Sequence, residues 1–187
     1  MYHVTEALYF PAVETASPEG ILAFGGDLSP ERLLLAYQSG IFPWFEADEP
    51  ILWWSPNPRM VLFFDELKVS KSMRNIFNRA IFKVTFNQDF KAVISNCQNV
   101  KRDGQNGTWI TNEMIAAYCK LHELGIAKSV EVWKDDKLVG GLYGIDLGHV
   151  FCGESMFSLE SNASKVAFVS LVNQLKSEKY QILDCQV

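Results

Sequence analysis

Two short stretches set acidic residues into apolar, strand-like sequence: Phe151-Cys152-Gly153-Glu154-Ser155-Met156-Phe157-Ser158 and Asp184-Cys185-Gln186. An ionised carboxylate is costly to bury without partners, so each acid needs a reason to be there. Strand residues alternate between faces. Asp184 and Gln186 are therefore expected to project together, with Cys185 pointing away. A carboxylate and a carboxamide side by side in apolar surroundings suit a polar site at the end of a greasy pocket. The competing reading is a buried polar pair stapling two strands, and residue types alone weigh the two evenly.

The other reactive side chains form no such cluster. Cys97, Cys119, Cys152 and Cys185 are scattered, as are His3, His122 and His149. Neither set has metal-ligand or Cys–His nucleophile spacing, so no metal site is expected. The cysteines read as reduced thiols packed as small hydrophobes.

Charge adds a second feature. The net charge is −5, which argues against a generally basic nucleic-acid binder. Yet Lys68, Lys71, Arg74, Arg79 and Lys83 fall between Leu67 and Gln88 with no acid among them. A basic island on an acidic protein can hold phosphate locally. As a bare charge run it is more simply a solvated helix face.

These residues need a scaffold. With 187 residues, 48% of them apolar, the chain can bury a substantial core, and disorder is not expected. No apolar run reaches the roughly 20 residues that span a bilayer. The N-terminal segment lacks the basic region of a signal peptide, so a cytoplasmic protein is expected. Ser29-Pro30-Glu31 reads as a helix start with Ser29 as N-cap, Leu33, Leu34 and Tyr37 as its apolar stripe and Gly40 as its end. The prolines of Ser55-Pro56-Asn57-Pro58 mark a boundary between a small N-terminal domain, 1–58, and a larger domain, 59–187.

Beyond Arg59 the pattern is α/β. Strands are predicted over 60–64, 82–86, 129–134, 138–145, 149–154 and 181–186. Helices are predicted over 70–79 and 88–97, from a Thr111 cap to Gly125, and from Ser161 or Asn162 through Leu175. A polar loop is expected over 100–108. The order strand, hairpin, strand, helix, strand is similar to acetyltransferase-type folds, in which two parallel strands splay around an acyl donor. Coenzyme A users of that fold carry a glycine-rich phosphate turn before the helix. Here the stretch from Ser158 to Ser164 has no glycine and contains Glu160, which counts against coenzyme A.

Taken together the motifs resemble one family, the bacterial leucyl/phenylalanyl-tRNA–protein transferases. The matching stretches are Gly25-Gly26-Asp27-Leu28-Ser29-Pro30, Ala36-Tyr37, Gly40-Ile41-Phe42-Pro43-Trp44, Trp53-Trp54-Ser55-Pro56 and Gly107-Thr108-Trp109-Ile110. They continue with Ala117-Tyr118, Leu121-His122, Ser129 to Trp133, Leu138 to Gly144, Gly153 to Ser158, Asn162 to Lys165 and Asp184-Cys185-Gln186. They keep the family's order over nearly the whole chain.

The resemblance implies an acetyltransferase-like domain with a mixed sheet flanked by helices, working without metal or coenzyme A. It implies transfer of leucine or phenylalanine, and less readily methionine, from aminoacyl-tRNA to proteins beginning with Arg or Lys, marking them for degradation. It implies that Asp184 polarises Gln186 at the reacting centre and that Glu154 attracts the acceptor. The donor side-chain pocket would comprise Leu142, Phe151, Met156, Phe168, Leu171, Leu175 and Leu183. Trp44 and Trp109 would flank the terminal adenosine of tRNA, with Lys71, Arg74 and Arg79 on its backbone. Monomer is the default.

Relatives continue past Asp-Cys-Gln with a Ser-Leu-Gly-Ala stretch and a basic tail, whereas this chain stops at Val187. A sheet neighbour and part of the site wall are therefore expected to be lacking beside the last strand. Two other functions are in play: a coenzyme A–dependent acetyltransferase, and a form that binds aminoacyl-tRNA or degrons without catalysis.

Overall fold

The computed structural model describes residues 1–100 and 109–186. Most of the loop expected over 100–108, with Gly107 and Thr108, lies outside the described residues, as does Val187.

The N-terminal part forms a small sheet that the sequence reading did not foresee. Its strands are β1 (Tyr2–Val4), β2 (Ile21–Gly25), β3 (Phe42–Pro43) and β4 (Leu52–Trp54), in the order β1-β2-β4-β3. Helix α1 (Pro30–Gln38) lies between β2 and β3. Ser29 sits at its N-cap without a side-chain cap bond; Asp27 Oδ1 instead accepts the Ser29 N–H at 2.8 Å. The buried face of α1 is Arg32, Leu33, Ala36 and Tyr37, so Leu34 is not at its centre. Buried Arg32 donates to the carbonyls of Thr5 and Ala7 at 2.9 and 3.1 Å, which ties the N-terminal loop down.

The larger sheet has six strands: β5 (Met60–Phe63), β6 (Lys83–Phe86), β7 (Ala127–Lys134), β8 (Lys137–Asp146), β9 (Val150–Ser158) and β10 (Ile182–Gln186), in the order β5-β10-β9-β8-β7-β6. β7, β8 and β9 form an antiparallel meander. β10 runs parallel to β9, reached through the crossover helix α5 (Ala163–Ser177) that a parallel connection needs. β5 pairs with the other side of β10.

Three further helices begin within two residues of where they are expected, each behind a side-chain cap. Ser70 Oγ accepts the Met73 N–H at the start of α2 (Lys71–Asn78). Asp89 caps α3 (Phe90–Asn99) through the Ala92 N–H, and Thr111 caps α4 (Asn112–Glu123) through the Met114 N–H. Each side chain satisfies a backbone donor that the first turn leaves unpaired.

Both faces of the large sheet are covered. Tyr143, Ile145, Cys152 and Phe157 pack with α3, α4 and the N-terminal sheet in one core. Leu142, Phe151 and Leu183 pack with α5 in the other. This mixed α/β sheet between helical layers, with neighbouring parallel strands joined through a helix, is the acetyltransferase-type arrangement.

Candidate active site

The site forms where β9 and β10 part. Their parallel pairing runs from Ile182 opposite Val150 to Asp184 opposite Cys152 and then stops. Both strands change register at this point. In β9 the pairing with β8 passes from Gly144–Gly153 to Tyr143–Ser155, which leaves Glu154 as an extra, bulged residue. In β10 the pairing with β5 passes from Asp184–Val61 to Gln186–Met60, which leaves Cys185 extra. Gln186 has φ 67°. A bulge kinks a strand and re-aims its side chains.

The bulges overturn the expectation that Asp184 and Gln186 stand side by side. Asp184 is buried and turns to Arg59, whose Nε and Nη2 reach its carboxylate at 2.8–3.0 Å. Arg59 also donates to the Gly40 carbonyl at 3.3 Å and lies 4.7 Å over the Phe42 ring. Gln186 touches Asp184 only through its backbone N–H, 2.8 Å from Oδ1. Its carboxamide points elsewhere: Nε2 donates to Glu154 Oε1 at 2.6 Å. The acid–amide couple exists, but its acid is Glu154.

Glu154 has further partners. Tyr118 of α4 donates its hydroxyl to Oε2 at 3.4 Å, and the Tyr118 hydroxyl is itself bonded to that of Tyr37 on α1. Burial pushes the Glu154 pKa up to about 8. Donors on Tyr37, Gln186 and Tyr118 pull it down, and the Asp184 charge adds to the rise. Burial likewise pushes both tyrosine hydroxyls well above their ordinary range. A carboxyl that gains and loses its proton near neutral pH is suited to acid–base work.

A cavity of about 240 Å³ opens beside Glu154, between the parted strands and α5. Leu142, Met156, Phe168, Leu171 and Leu183 line it, with Gly153 and Cys185. Five of the seven expected pocket residues therefore meet there. Phe151 and Leu175 do not. They line a separate cavity of about 170 Å³ near Lys128, Asp146 and Tyr180. Phe151 pairs with Leu183 on the part of β9 where the strands are still joined, so it lies below the gap. Leu175 is further along α5, one turn beyond Leu171.

The expected nucleic-acid residues lie elsewhere on the surface. Trp44 follows β3, is 41% exposed and packs against Trp54 at 5.1 Å between ring centroids. Trp109 is half-buried ahead of α4. Lys71, Arg74 and Arg79 are exposed on and just after α2, whose Met73 is buried. Glu160 precedes α5 and pairs with Lys134 at 2.9 Å. Among the described residues, no group of three or more His, Cys, Asp or Glu is placed to hold a metal ion, and no helix is long and apolar enough to cross a membrane.

Sequence reasoning missed Arg59, Tyr37 and Tyr118 as members of the site. Two signals were available. Both tyrosines sit in apolar helix stripes, where a buried hydroxyl must find a partner, and Arg59 is the one charge between the proline pair and β5.

An apolar socket between parted parallel strands, with a tunable carboxyl at its rim, is equipped to hold an acyl group while a second substrate takes it. Such a site suits a transferase of the acyltransferase kind. A family model described as leucyl/phenylalanyl-tRNA protein transferase matches residues 61–187, and a model of the same family's N-terminal domain matches residues 26–57. The leucyl/phenylalanyl-tRNA–protein transferase of Flavobacterium johnsoniae is 71% identical over 187 residues, covering 100% of this chain and 88% of the relative. That of Flavobacterium psychrophilum is 65% identical, covering 100% and 89%. Among solved structures, L-PGS from Bacillus licheniformis superposes with a TM-score of 0.47 at 12% identity, over 87% of this chain and 51% of the other. The chain belongs to the leucyl/phenylalanyl-tRNA–protein transferase family.

Proposed function

We propose that this protein moves leucine or phenylalanine, and less readily methionine, from aminoacyl-tRNA to the α-amine of proteins that begin with Arg or Lys, marking them for degradation. One observation carries the reading: the apolar cavity ends at Glu154, whose carboxyl is held by Gln186 at 2.6 Å. An esterified amino acid with an apolar side chain fits such a socket, with its carbonyl toward the polar rim.

The ester is already activated, so the reading requires neither ATP nor a cofactor. The attacking amine has an ordinary pKa of about 7.7–8.0. Glu154, with its pKa near 8, is matched to take the amine proton as the nitrogen attacks. The new C–N bond forms, the C–O bond to the tRNA ribose breaks, and the ribose oxygen takes up a proton. Gln186 gives its N–H to Glu154 and so turns its carbonyl oxygen toward an incoming N–H donor. The Glu154 carboxylate also attracts the positive charge of the acceptor's first residue. Asp184, held by Arg59, orients Gln186 through its backbone rather than taking the proton.

Trp44 and Trp109 stack on the terminal adenosine in this reading. Such contacts are worth roughly 1–3 kcal/mol each whatever the base. Lys71, Arg74 and Arg79 meet the tRNA backbone. The protein acts as a cytoplasmic monomer with a small N-terminal domain over 1–58 and the catalytic domain over 59–187. The deciding experiment incubates the protein with radiolabelled Phe-tRNA and matched acceptors beginning with Arg or Ala. Label in the Arg acceptor alone supports the reading; label in neither ends it.

A further inference from the structure

The glycines of the large sheet are of two kinds. A Cβ on Gly140 would lie 2.5 Å from the Ala163 Cβ, on Gly141 2.7 Å from the Val130 carbonyl oxygen, and on Gly144 2.3 Å from the Cys152 carbonyl oxygen. At those positions neighbouring atoms already occupy the place of a side chain. Gly153 is different. Its φ lies outside the left-handed region, so its backbone conformation suits any residue. Among the described residues, an added Cβ would meet the Asp184 carbonyl oxygen at 3.7 Å and Leu183 Cδ2 at 3.8 Å, both ordinary contact distances.

Neither the backbone nor the packing therefore requires glycine at 153. The space left by its missing side chain belongs to the cavity, which Gly153 lines opposite Phe168 and Leu171 of α5. It stands one residue past Cys152, where the pairing of β9 with β10 ends, and next to Glu154. A side chain here would narrow the socket at the reacting end rather than at its floor.

We propose that Gly153 is a specificity-determining residue: its missing side chain leaves the socket wide enough near the ester for an aromatic ring as well as an aliphatic side chain. This rests on the donor reading of the cavity given above. A methyl group on the strand wall presses on the ring of a phenylalanyl donor, which is planar and cannot fold away. The leucyl side chain is smaller, and the methionyl chain can bend around the obstacle.

The test compares kcat/KM for Leu-tRNA and Phe-tRNA in the parent and in Gly153→Ala, with the melting temperature as a folding control. The Phe-to-Leu ratio is expected to fall about tenfold, the low end of what one misplaced methyl does in a pocket. Gly153→Val is expected to lower it further. Leu183→Val, placed on the Gly153→Ala background, removes bulk facing the new methyl and is expected to restore part of the ratio. An unchanged ratio in a folded Gly153→Ala variant overturns the proposal. So does a variant that does not fold, because the inference requires open space at that Cβ. A parent protein that transfers neither donor overturns the functional reading instead, and this inference with it.

Discussion

Gln186 Nε2 lies 2.6 Å from Glu154 Oε1, across the gap that opens where β9 and β10 stop pairing. This contact closes the mouth of the splay with one amide and one carboxyl. Both residues owe their aim to strand irregularities: Glu154 is the bulged residue of β9, and Gln186 follows the extra residue of β10.

If the couple handles the amine proton, removing either member slows the chemical step. Gln186→Ala and Glu154→Gln are each expected to lower turnover by about 10²–10⁴-fold. Glu154→Gln should also raise the KM of the Arg-beginning acceptor more than that of the aminoacyl-tRNA. Steady-state kinetics with each substrate varied in turn measures both effects; parent-like turnover in both variants removes the couple from the mechanism.

The pH profile carries a separate signature. Below about pH 8 both Glu154 and the acceptor amine hold protons. The acid limb of kcat/KM for the acceptor is therefore expected to have a slope of two in the parent and one in Glu154→Gln. Tyr118→Phe removes a hydrogen-bond donor to the carboxylate, so Glu154 holds its proton more tightly. Its acid limb should move to higher pH, with turnover at pH 7 reduced by up to about tenfold. A Tyr118→Phe profile that superposes on the parent would show that the hydroxyl has no hand in the proton chemistry.

Stability should respond to the same group with the opposite trend. Folded Glu154 keeps its proton up to about pH 8, whereas the ordinary value is 4.5. Between those values the folded state binds more protons than the unfolded state, so this group makes stability fall as pH rises, and the loss levels off above about 8. Glu154→Gln lacks the effect. The melting temperature of the variant should gain on the parent between pH 5 and 8, and a constant difference would contradict the buried carboxyl.

The Arg59–Asp184 pair ties the residue just ahead of β5 to β10, with side chains 20% and 12% exposed. Arg59→Ala strands a buried carboxylate and is expected to cost about 2–3 kcal/mol, somewhat less than for a fully enclosed pair. Arg59→Ala with Asp184→Ala should recover part of that loss. Urea denaturation of the two single variants and the double variant gives the coupling; simple additivity would show that the pair contributes nothing as a unit.

Salt tests the basic island. Apparent affinity for aminoacyl-tRNA should fall steeply with ionic strength, and each charge removed at Lys71, Arg74 or Arg79 should flatten the log–log slope by about one. Filter binding over a salt series measures it. A slope left unchanged by all three substitutions takes α2 out of the interface.

What the sequence determined was mostly local. Thr111 announces its helix because a cap acts within three residues. Short apolar runs between turn residues mark β7 to β10, and the motif order alone pointed to the family. The four-stranded N-terminal sheet escaped because its strands are two to five residues long, too short to display a period. Tertiary structure decided the site itself. Asp184 and Gln186 are two residues apart, yet a bulge set by pairing with β5 sends one to Arg59, 125 positions away, and the other to Glu154. Strand register depends on partners distant in sequence, so neither the bulges nor the acid that stands beside the amide can be read from the local pattern.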